Sequence, residues 1–107
     1  MKKHYSKLER DSGEILHYIY QHFKKDKKEQ PLSRADVVRE TGWDEEKMLR
    51  IVRFLNNASL IRSVLGFSSV FSISGLTNEG IETMRNMGEF KKIFGFDLAP
   101  GSFSWKN

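Results

Sequence analysis

Residues 31 to 61, PLSRADVVRETGWDEEKMLRIVRFLNNASLI, constrain the fold most, because residues that start and stop helices fall there at fixed spacing. Pro31 cannot lie inside a continuous helix, so an element opens after it. Ser33 is a good N-cap, and Asp36, three positions on, is close to the Glu or Gln of a capping box. Gly42 supplies a turn, since glycine reaches positive φ without a steric penalty. Asp44 then caps a second helix. Glu45 and Glu46 lie in its first turn, where the helix dipole favours negative charge. The stretch reads as a short helix, a tight turn and a longer helix.

Wound at about 100° per residue, the second helix places Met48, Leu49, Ile51, Val52 and Leu55 in one apolar arc about 160° wide. Glu46, Arg50, Arg53 and Asn57 fall together on the opposite side, with Lys47 at the flank. One face is built to be buried. The other presents cations and an amide, the donors that reach phosphates and base edges. This is the geometry of a helix-turn-helix whose second helix faces a partner. Any surface helix sets a charged face against an apolar one, so the flanking segments must discriminate.

At 107 residues the chain has the length of one domain with a single core. No stretch approaches the ~20 apolar residues of a membrane span. The opening MKKHYSKLERD is followed by no apolar run, so no secretory signal is expected and a cytoplasmic location is the default. With no cysteine, disulfides and thiolate metal sites are excluded. The net charge of +4 is uneven: residues 1–30 carry eight Lys or Arg against five acids, residues 31–60 five of each, and residues 61–107 five against four. A mild positive balance fits a nucleic-acid partner without requiring one.

Taken in order, residues 1–10 are polar and basic and form an arm or a helix extension. Asp11, Ser12 or Glu14 caps a first helix that runs to about Phe23 or Asp26, with Ile15, Leu16, Ile19 and Phe23 as its apolar stripe. Gly13 weakens any earlier start. Lys24 to Gln30 is a polar hinge that reads as a solvated loop. After the two central helices, Arg62–Leu65 and Val70–Ser74 read as short strands, with Gly66–Ser69 as the reversal. Two strands alone are marginal in water, so they pack on the helices. Thr77 caps a further helix that continues through Ile81, Met84 and Met87.

This order resembles the winged-helix family of transcription regulators over roughly residues 14–87. The resemblance rests on Leu32-Ser33 opening the second helix, on Gly42 in the turn, and on Asp44, Met48, Val52 and Leu55 pacing the third. It rests also on Leu60-Ile61 entering the hairpin and on Leu76-Thr77-Asn78-Glu79-Gly80, similar to the Leu-Thr-x-x-Gly junction after the second wing strand. It implies a mainly α fold with a small β-hairpin, a winged helix-turn-helix of order α-α-α-β-β-α. The winged domain spans 11–87, and 88–107 forms an aromatic-rich packing or dimerisation extension. It implies a transcriptional regulator that binds double-stranded DNA as a homodimer, with the third helix in the major groove and the hairpin as wing. The implied DNA contacts are Glu46, Lys47, Arg50, Arg53 and Asn57 on that helix, Arg34 in the first turn of the second, and Arg62, Ser68 and Ser69 in the wing.

Several features depart from that pattern. The wing tip Gly66-Phe67-Ser68-Ser69 carries no Lys or Arg. Glu45 and Glu46 stand where the helix start approaches phosphate. Phe54 lies beyond the apolar arc. The tail carries Phe94, Phe96, Phe103 and Trp105, and with Phe54 and Phe67 these are the candidate dimer or partner contacts; packing within the chain is the other reading of the tail. Hence the alternative of a protein-interaction module that makes no direct DNA contact. Catalysis finds no support: His17 and His22 sit about 140° apart on a helix, and no phosphate-cradling glycine loop or nucleophile elbow is present. No cofactor or metal is expected.

Overall fold

A computed structural model describes residues 5–25, 30–66 and 70–97. The first helix, α1, spans Lys7–Tyr20. It starts earlier than Asp11 because Ser6 makes the capping box. The Ser6 hydroxyl accepts the Glu9 N–H at 3.1 Å, and the Glu9 carboxylate accepts the Ser6 N–H at 3.0 Å. Gly13 lies within the helix for lack of room: a Cβ there would stand 2.8 Å from the Phe94 side chain. A π-helical turn, Gln21–Lys25, follows α1.

The short strand β1, Leu32–Ser33, leads directly into α2, Arg34–Thr41. Ser33 caps α2 through a full capping box with Asp36, so the shorter carboxylate serves where Glu or Gln is usual. Gly42 closes α2 at φ 75°, and its N–H donates to the Val38 carbonyl at 2.8 Å. Helix α3, Glu45–Asn57, is capped by Asp44, which accepts the Lys47 N–H at 2.9 Å. A tight turn through Ser59, at φ 61°, leads to β2, Ile61–Leu65.

Strand β3, Phe71–Leu76, pairs antiparallel with both β2 and β1, giving a three-stranded sheet of order β1-β3-β2. The two-residue β1 is too short to leave a period-two signal. Arg62 pairs with Gly75 and Ser63 with Ile73, so Ser74 is an extra residue. This bulge lets Phe71, Ile73 and Leu76 all face the core despite their odd spacing. Val70 precedes β3 and is 49% exposed.

The last helix of the expected order divides in two. Helix α4, Asn78–Arg85, ends at Asn86, which then caps α5, Met87–Phe94, by accepting the Glu89 N–H at 3.2 Å. Phe90 and Phe94 of α5 are fully buried in the core formed by Ile15, Leu16 and Ile19 of α1, Val37 of α2, Met48, Ile51, Val52 and Leu55 of α3, and Phe71 and Ile73 of β3. Each such side chain contributes about 1.5–3 kcal/mol of burial. The Tyr5 hydroxyl donates to the Lys92 carbonyl at 2.7 Å, pinning the start of the chain to α5. Residues on both sides of the expected boundary at 87/88 therefore share one core. Among the described residues, no helix is long and apolar enough to cross a membrane.

Candidate nucleic-acid interface

The geometry of this surface is set by the junction between α2 and α3. Beyond Gly42, the Trp43 N–H donates to the Thr41 hydroxyl at 3.2 Å, and that hydroxyl donates to the Val37 carbonyl at 2.7 Å. The turn is thus braced by side chains as well as by glycine. Helix α3 buries Met48, Ile51, Val52 and Leu55 completely and turns Glu46, Arg50, Arg53 and Asn57 to solvent. Its far edge is tied to the sheet, where the Ser63 hydroxyl donates to the Asn56 side-chain oxygen at 3.0 Å.

The described residues expected to contact DNA divide into two groups. Among the described residues, neither Arg50 nor Arg53 has a carboxylate partner, so both guanidinium groups are available to a ligand. Asn57 is exposed one turn beyond Arg53, and Glu46 is exposed one turn before Arg50. Lys47, by contrast, is engaged within the chain. Its ammonium lies 3.1 Å from the Asp11 carboxylate of α1 and 3.8 Å from the centre of the Trp43 ring. An ion pair plus a cation–π contact makes it a strut between α1 and α3 instead of a free donor. Arg34 is half-buried, with its guanidinium 3.7 Å from Glu45, so it links the first turns of α2 and α3. That pairing also gives Glu45 a role beyond the helix dipole.

Arg62 is exposed on β2, while its carbonyl accepts the Ser74 hydroxyl at 3.3 Å. Phe67, Ser68 and Ser69 lie outside the described residues, as do Phe103 and Trp105. Among the expected partner contacts, Phe94 is corrected: at 0% exposure, beside Gly13 and Phe90, it is a core residue with no surface to offer. Phe54 is half-buried against the core. Phe96 packs edge-on to Phe90, with ring centres 5.2 Å apart, and Arg10 lies 5.9 Å above its ring.

Two features of the surface leave no signal in the sequence. Lys7 and Asp11 of α1 border a cleft of about 200 Å³ with Lys47 and Arg50 of α3. No local pattern signals this, because helix packing alone brings positions 7 and 50 together. The hairpin also exposes Val64, Leu65 and Val70, at 69%, 40% and 49%. The high exposure of Val64 follows from its register: it pairs with Ser72 on the face of the sheet away from the core. Among the described residues, no cluster of three or more His, Asp or Glu could hold a metal ion. Comparisons with known protein families, with curated proteins and with solved structures return no match for this chain.

Proposed function

We propose that this protein is a DNA-binding transcriptional regulator of the winged-helix type, which lays α3 in the major groove and uses the β2–β3 hairpin as a wing. The observation that carries the reading is the outward strip of Arg50, Arg53 and Asn57 on a helix whose opposite face is buried, with no carboxylate partner for either arginine among the described residues. Guanidinium groups in that state pair bidentately with guanine edges or with phosphates, and the amide suits adenine. The order α1-α2-α3-β2-β3-α4 supports the same reading.

The test is fluorescence anisotropy of the full chain on duplex DNA across a salt series, followed by operator selection. The logarithm of affinity is expected to fall steeply with the logarithm of salt concentration. Truncating Arg50 or Arg53 to alanine is expected to weaken binding to the best operator by about 1–3 kcal/mol. Unchanged affinity in both variants overturns the reading.

A second reading, a protein-interaction module, is favoured by one observation. Val64, Leu65 and Val70 are exposed on the hairpin, where a wing that grips phosphate carries Lys or Arg. Absence of DNA binding at about 50 mM salt, where non-specific association is normally measurable, selects this second reading.

A further inference from the structure

The cleft between α1 and α3 is lined by Lys7, Leu8, Asp11, Lys47, Arg50 and Ile51 and encloses about 200 Å³. Three cations and one carboxylate leave it a formal balance of 3 − 1 = +2. The carboxylate is already engaged, because Asp11 lies 3.1 Å from the Lys47 ammonium. Lys7 and Arg50 are both exposed and have no carboxylate partner among the described residues. They come from different helices and converge on one opening. Leu8 and Ile51 form its apolar lining, and low-polarity walls strengthen an ionic contact made against them.

We infer that this cleft is a phosphate site, which takes one backbone phosphate of bound DNA between Lys7 and Arg50. The inference rests on the DNA-binding reading and divides the labour within it. Arg50 belongs both to the outward strip of α3 and to the cleft, so it grips the backbone and leaves Arg53 and Asn57 to face base edges. Lys47 is a positioning residue: held by Asp11 and Trp43, it ties α1 to α3, the two helices that bring Lys7 and Arg50 to the cleft. The interface thereby extends past the two central helices onto the start of α1.

The test compares wild type, Lys7→Ala, Arg50→Ala and the control Arg85→Ala, whose arginine lies on α4. Affinity is read for two duplexes of unrelated sequence across a salt series. Loss of one phosphate contact lowers the slope of log affinity against log salt by about 0.9, equivalent to roughly eight-fold weaker binding at about 0.1 M salt. Lys7→Ala is expected to show that loss equally on both duplexes, and Arg50→Ala likewise, while Arg85→Ala keeps the wild-type slope. An unchanged slope for Lys7→Ala, in a wild-type protein that binds DNA, overturns the site and leaves the DNA reading standing. A slope lowered equally by Arg85→Ala also overturns the site, because the effect is then one of overall charge. Absence of wild-type binding at about 50 mM salt overturns the DNA reading, and the site with it. Lys7 is exposed and makes no described ion pair, so thermal unfolding of the variant is expected to match wild type.

Discussion

Gly80 illustrates how one residue holds two elements in register. It is buried in the first turn of α4, and a Cβ there would run into the backbone carbonyl oxygen of Leu60. Leu60 also accepts the Thr77 N–H at 3.2 Å, so the turn before β2 and the start of α4 touch backbone to backbone. A backbone oxygen cannot swing aside as the end of a side chain can. Gly80→Ala is therefore expected to destabilise the fold by about 3 kcal/mol, read as a lower urea midpoint at unchanged slope. The glycine of the Leu-Thr-x-x-Gly junction was visible in the sequence, but the carbonyl that demands it was not. Lys47 teaches the opposite lesson. Its helical position suggested a DNA contact, and its neighbours Asp11 and Trp43 make it a strut.

At the scale of the element, α2 depends on its cap. The Ser33 N–H, the Ser33 hydroxyl and the Arg39 guanidinium all donate to the Asp36 carboxylate, and these bonds hold its pKa below the usual carboxylate value. The unfolded chain binds the proton more readily, so the cap stabilises the fold above about pH 4 and loses its effect as pH falls through the depressed native value. Asp36→Asn is expected to be less stable at neutral pH and to lose less stability on acidification. Thermal unfolding between about pH 2 and pH 6 measures both, and parallel curves for variant and wild type would contradict the assignment. A second tie secures α2 at its other end, where the buried Tyr18 hydroxyl of α1 donates to the Glu40 carboxylate at 2.6 Å. Burial first, and the Glu40 carboxylate second, push the phenol above its ordinary pKa.

For the molecule as a whole, α5 completes the core. Phe90 and Phe94 have ring centres 4.8 Å apart and no exposed surface, and Tyr5 reaches across from the start of the chain to the Lys92 carbonyl. Phe94→Ala is expected to cost about 3–5 kcal/mol and to leave a single unfolding transition at a lower temperature, because the helices it joins share one core. A variant of unchanged melting temperature but altered sedimentation would instead assign Phe94 to an interface between chains.

The sequence by itself determined the ends of α2 and the start of α3, the burial of Met48, Ile51, Val52 and Leu55, and the outward strip of Arg50, Arg53 and Asn57. Caps, a positive-φ glycine and a 3.6-residue period act between neighbours along the chain, so they are legible there. Only the tertiary structure decided the clasp of Lys47 on Asp11, the cleft shared by Lys7 and Arg50, the pairing of β1 with β3 and the burial of Phe94. Each of these joins residues remote in sequence, and whether such groups meet is set by how the helices and the sheet close over a common core.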